Sequence, residues 1–108
     1  MEEKIICSAI WYKELPLIKP EVLEMRGFRP YNVDRGIVFS GWRHANCLYQ
    51  MVSITGKTNF EAGESTQGFL TNKNRFVDRV EGAAIALNCK QIDKLNYSST
   101  LLYSEDLY

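Results

Sequence analysis

The chain has 108 residues, the size of one domain covering residues 1–108, and its 45% hydrophobic content excludes a disordered chain. Lysine plus arginine and aspartate plus glutamate each number 13, for a net charge of +0. That balance excludes a general nucleic-acid coat, which needs surplus positive charge, and leaves room for one local basic pocket.

Residues 1–12, MEEKIICSAIWY, carry acid where a signal peptide needs base, and no stretch is long enough to span a membrane. The three cysteines, Cys7, Cys47 and Cys89, are odd in number and widely spaced. They fit neither a disulfide framework nor a zinc site, so each is expected to act as a small buried hydrophobe in a reducing cytosol. Lys4–Tyr12 reads as a first strand, apolar nearly throughout, as a strand covered on both faces or an edge strand packed under a helix would be. Residues 13–34 hold Pro16, Pro20, Pro30 and Gly27 and read as a long loop, with a short helix over Glu21–Met25. Long ordered loops in compact domains tend to be functional or packed against a partner.

Gly36–Trp42 reads as the second strand, ending near Gly41. Arg43–Thr55 fits a helix with Cys47, Leu48, Met51 and Val52 on its inner side, stopped by Gly56 in a left-handed cap. Asn59–Thr66 reads as loop. Gly68–Thr71 and Arg75–Val77 read as a hairpin turned at Asn72-Lys73-Asn74, since asparagine tolerates left-handed angles. Asp78 and Glu81 have capping-box spacing at the start of a helix that places Val80, Ala83, Ala84 and Leu87 inward. Cys89–Ser99 is polar, and Leu101–Tyr103 reads as a short strand or docked tail. The order predicts an α+β fold, a small, mostly antiparallel sheet with helices packed toward the C-terminal half.

Few constellations carry chemistry. Gly56-Lys57-Thr58 resembles the end of a phosphate-binding loop, but Met51 stands where its first glycine belongs, and the stretch follows a helix instead of a strand. His44, the only histidine, has no ligand-spaced neighbours for a metal. A pairing with a cysteine for nucleophilic catalysis has only spacing behind it. Asp78 and Glu81 are spaced for acid–base work, but helix capping explains both. The set Arg75, Phe76 and Arg79 is more suggestive. A ring offers a base a stacking face, arginine offers phosphate a planar fork, and a helix N-terminus adds amides. Arg79 in a first helical turn also opposes the helix dipole. Against this, strand alternation points Phe76 away from Arg75 and toward a core.

The runs GFLTNKNRFVDRVEGAAIAL (68–87), GWRHANCLY (41–49) and YSEDLY (103–108) resemble the Thoeris anti-defence one family of phage proteins, over most of residues 36–108. The resemblance implies a sponge that binds cyclic ADP-ribose isomers without cleaving them and so silences a bacterial defence signal. It implies an antiparallel sheet followed by helices, a homodimer or higher homo-oligomer, and in some members a second site for cyclic oligonucleotides. The family sets a phenylalanine against adenine and arginines against phosphate, which the Phe-x-x-Arg spacing places on Phe76 and Arg79. The tail here is short for the basic contact that the family makes from its C-terminal region. Arg75, Asn74, Arg43 and His44 join the candidate ligand site on chemical grounds. No catalytic residue, metal or cofactor is expected, nor a nucleic-acid or membrane partner, and the host cytoplasm is the expected compartment. The first strand and the proline-rich loop are candidates for a dimer interface. Two other readings stand beside the sponge: a phage protein that binds a host protein without a small ligand, and a hydrolase or lyase working through His44, Asp78 or Glu81. Phe76→Ala separates a ligand ring, whose loss spares the fold, from a core ring, whose loss does not.

Overall fold

A computed structural model describes residues 2–24 and 29–108. Strands β1 (Ile5–Tyr12), β2 (Ile37–Gly41), β3 (Ser65–Thr71) and β4 (Phe76–Asp78) form one sheet in the order β2-β1-β3-β4, with every pairing antiparallel. Helices α1 (His44–Thr55), α2 (Arg79–Asn88) and the one-turn α3 (Ser104–Leu107) complete the expected α+β fold. A 3-10 turn at Pro20–Glu24 stands near the short helix expected in the loop, whose last residue, Met25, lies outside the described residues.

The apolar run of β1 follows from its central place. It pairs on both sides, with β2 and β3, so it is buried within the sheet. Ile10, Tyr12 and Phe39 meet Cys47 and Met51 of α1. Ile5, Phe69 and Val77 meet Ala83 and Ala86 of α2, together with Ile92 and Leu102. On the opposite sheet face Ala9 and Phe76 pack with Val33, and Trp11, Val38 and Leu70 border them. Val33 belongs to the long loop, so that loop serves as the second cover of the sheet.

Two side-chain amides finish the sheet where strands run out. Asn32 accepts from the Phe76 amide at 2.8 Å and donates to the Phe76 carbonyl at 2.7 Å, which satisfies the outer edge of β4. Gln91 does the same for Ile5, accepting at 2.7 Å and donating at 2.9 Å. An edge completed this way does not recruit another strand there.

The inner face of α2 differs from the expected one. Gly82, Ala83 and Ala86 are buried, while Val80, Ala84 and Leu87 are exposed, so Ala83 alone is shared. The reason is closeness. A Cβ on Gly82 would stand 3.0 Å from Cδ2 of Phe69 and 3.4 Å from Leu102, so the helix lies against the large Phe69 ring on its smallest residues. On α1 Cys47 and Met51 face inward as expected, joined by His44, while Val52 is exposed. Gly56 caps α1 with φ 73°, and β3 begins earlier than expected, at Ser65. Leu101–Tyr103 docks without forming a strand. Among the described residues no helix is long and apolar enough to cross a membrane.

Gly68 lies between β1 and β4, opposite both Ala9 and Asp78. A Cβ there would stand 2.0 Å from the Val77 carbonyl oxygen. Gly68→Ala is therefore expected to cost about 3 kcal/mol, read as a fall in the urea midpoint. An unchanged midpoint contradicts this packing.

Candidate functional site

The inward stripe of α2 runs 79, 82, 83, 86, so the close seat of Gly82 also turns Arg79 toward the body of the protein. Asp78 caps the helix by accepting from the Glu81 amide at 2.8 Å. The carboxylate of Glu81 does not reach back to complete a capping box. It accepts instead from Arg75 at 2.7 Å. Arg79 donates from Nη1 to the Leu102 carbonyl at 2.8 Å and from Nη2 to Oε1 of Gln67 at 2.6 Å. Its Nη2 also lies 3.3 Å from Nδ1 of His44. The guanidinium sits 4.4 Å from the centre of the Tyr103 ring, and the Arg79 carbonyl accepts from the Leu102 amide at 3.0 Å. Burial pulls the Arg79 pKa down, with Tyr103 and the exposed Glu105 opposing weakly. Among the described residues, all the hydrogen-bond partners of this half-buried cation are neutral.

His44 opens α1 and is buried. Its Nε2 lies 2.8 Å from the Gly68 carbonyl oxygen, which only accepts, so Nε2 carries the proton. Nδ1 is then the acceptor for Arg79, and the ring is a neutral imidazole with both nitrogens committed. Burial, above all, lowers its pKa, the Gly68 hydrogen bond opposes that, and the Arg79 charge adds to the lowering. The neighbouring Arg43 lies over Trp42 at 4.5 Å and over Tyr108 at 5.3 Å. It donates to Oγ of Ser104 at 3.3 Å and to the main-chain oxygen of Tyr108. Arg43, His44 and Arg79 thus gather around the segment 102–108. Among the described residues neither arginine is ion-paired with a side-chain carboxylate.

The other candidates lie elsewhere. Phe76 is 6% exposed, meets Trp11 edge-on at 5.8 Å, and belongs to the sheet face opposite the helices. Arg79 reaches Gln67 and His44 on the helix side, so the sheet separates the two residues of the Phe-x-x-Arg spacing. Phe76 touches a shallow hollow of about 250 Å³ with Trp11, Lys13, Thr66, Asp78 and Glu81, where two carboxylates oppose an anion. Arg75 grips both oxygens of Glu3 at 2.9 Å and also meets Glu81. Asn74 supplies the left-handed turn position with φ 57°. Gly56-Lys57-Thr58 is a helix cap running into a turn, in which Thr58 and Glu61 bond each other's amides.

Sequence reasoning missed Trp42, Gln67, Tyr103 and Tyr108. Two signals for them were present. Trp42 adjoins Arg43, and Gln67 alternates with the core residue Phe69 along β3. Among the described residues no group of three or more metal-ligating side chains gathers. The Cys47 thiol, pushed up to about 11 chiefly by burial, is a hydrophobe and not a nucleophile. A family model described as phage T4 y16D protein matches residues 4–108. No curated protein and no solved structure matches the chain.

Two measurements check these placements. Phe76→Ala is expected to lower stability by about 3 kcal/mol, as a core phenylalanine does. A variant of unchanged stability contradicts that burial. Glu3 is held down to about 2 from its ordinary 4.5, first by its hydrogen bonds from Arg75. Because its folded pKa is depressed, its contribution is full above pH 4.5 and fades as pH falls toward 2. Glu3→Gln is expected to cost about 1–2 kcal/mol at neutral pH, allowing for solvent screening, with wild type and variant converging through that window. A gap that stays constant with pH contradicts the ion pair.

Proposed function

The chain belongs to the phage T4 y16D protein family, and we propose that it is a phage binding protein that captures a cyclic ADP-ribose-type nucleotide signal without cleaving it. The observation that carries this reading is the pair Arg43 and Arg79. They flank one segment, each lies on an aromatic face, and neither is ion-paired with a side-chain carboxylate among the described residues. Arg75, by contrast, is spent on two carboxylates. A phosphate accepting from Arg79 exchanges a neutral acceptor for a charged one, which roughly doubles the strength of such a bond. Trp42, which is 61% exposed, offers the stacking face that buried Phe76 does not.

The energies fit a modest single site. A stacked base contributes about 1–3 kcal/mol and each charge-assisted contact about 1.5–3 kcal/mol. One stack and two arginine contacts reach about 8 kcal/mol, near micromolar affinity. A sponge needs more, and enclosure of this one-sided surface by a second copy of the chain would supply it. The same geometry disfavours turnover, since His44 has no free nitrogen for use as a base and Cys47 is buried. The host-protein reading keeps one specific support. Tyr49 and Val52 on the outer face of α1, with Leu48, border an apolar hollow of about 510 Å³.

Calorimetry with a panel of cyclic ADP-ribose isomers tests the reading. One isomer is expected to bind and to return intact after the protein is denatured. Arg43→Ala is expected to weaken it at least tenfold, about 1.4 kcal/mol, with an unchanged melting curve. Recovery of ADP-ribose instead points to a lyase. No heat with any isomer, beside a stable complex with a host protein, points to the second reading.

A further inference from the structure

The aromatic and polar contacts of Tyr108 have the form of a ligand's. Its ring stacks on Trp42 at 6.2 Å with the planes 22° apart, and its main-chain oxygen accepts from the fork of Arg43. A ring on the exposed indole and an acceptor on the guanidinium are the two contacts a nucleotide base and phosphate would make. We propose that Tyr108 is a strap that holds the ligand's place on Trp42 and Arg43 and is displaced when an anionic nucleotide binds, an inference that rests on the reading of this surface as a nucleotide site.

The segment is held firmly from Leu102 to Leu107 and more lightly at Tyr108. Leu102 is fully buried, and Arg79 holds both its amide and its carbonyl. Asp106 accepts from the amides of Tyr103 at 3.0 Å and Asn96 at 2.8 Å, which pins the turn. Leu107 packs partly against the core. Tyr108 itself is 44% exposed, and among the described residues it adds to its contacts with Trp42 and Arg43 only the hydrogen bond that its amide donates to the Ser104 carbonyl at 3.2 Å. Rotation about Leu107 therefore frees the Trp42 face and the Arg43 fork while Arg79, His44 and Tyr103 stay in place. The exchange replaces a stacked tyrosine with a stacked base and a main-chain oxygen with phosphate. Its net yield is smaller than the contacts suggest, because the strap's own contacts are lost.

The test follows the indole N–H signals of ¹⁵N-labelled protein while cyclic ADP-ribose isomers are added. Trp11 donates its indole N–H to the Arg35 carbonyl at 2.7 Å, away from the strap, and serves as the internal reference. Tyr108→Ala is expected to shift the Trp42 signal, leave the Trp11 signal unmoved, and tighten the bound isomer at least threefold. Tyr108→Trp, a larger stacking ring, is expected to weaken it. A Trp42 signal unmoved by Tyr108→Ala overturns the strap, and so does weaker binding by that variant, which makes the tyrosine part of the ligand's own site. If wild type responds to no isomer, the nucleotide reading fails and inorganic pyrophosphate decides the strap. A Trp42 signal that moves with pyrophosphate, and moves at lower concentration in Tyr108→Ala, supports displacement by an anion. A still one overturns it.

Discussion

The contact between the Phe69 ring and Gly82 sets the rest of the arrangement. A glycine at that point lets α2 settle onto β3 closer than any side chain would allow, and this fixes the rotation of the helix about its axis. With the small residues turned inward, Val80 and Leu87 face solvent and Arg79 faces the protein. Arg79 in turn holds Leu102 by both main-chain groups and donates to the His44 nitrogen that the Gly68 contact leaves unprotonated. A choice made by packing thus becomes an electrostatic feature: a half-buried cation whose acceptors are neutral.

The arginines of this chain divide by what they meet. Arg75 ties Glu3, near the start of the chain, to the hairpin and to α2, and is a structural cation. Arg43 and Arg79 rest on rings and main-chain oxygens. Burying a charge among neutral partners is costly, and such groups recur where a ligand of opposite charge completes the site. The gathered arginines support the proposed ligand-capturing role, and the committed nitrogens of His44 support capture over chemistry.

Much of the fold was legible from residues 67–87. The hairpin turn at Asn72–Asn74 and the cap at Asp78 rest on short-range rules, and both formed as those rules require. The inner face of α2 was not legible. Two stripes one position apart satisfy helical periodicity, and hydropathy favours Val80 and Leu87 over Gly82 and Ala86. The ring opposite them decided otherwise, and its contact is not local. The candidate site was legible in part for the same reason. Arg43, His44 and Arg79 are brought together by chain segments far apart in sequence, whereas Phe76, three residues from Arg79, ends on the other side of the sheet. Adjacency in sequence suggested a Phe–Arg pair, and strand alternation followed by a helix start separated it. The long loop had a role that composition does not show: Val33 and Asn32 cover and edge the sheet.

One surface, formed by Trp42, Arg43 and Arg79, is proposed to take an anionic nucleotide. Amide chemical-shift mapping during titration with cyclic ADP-ribose isomers tests it most directly. Perturbations are expected to concentrate at residues 42–44, Gln67, Arg79 and 102–108, with Trp11 and Phe76 still. Perturbations centred on Trp11 and Phe76, or none with any isomer, would contradict it.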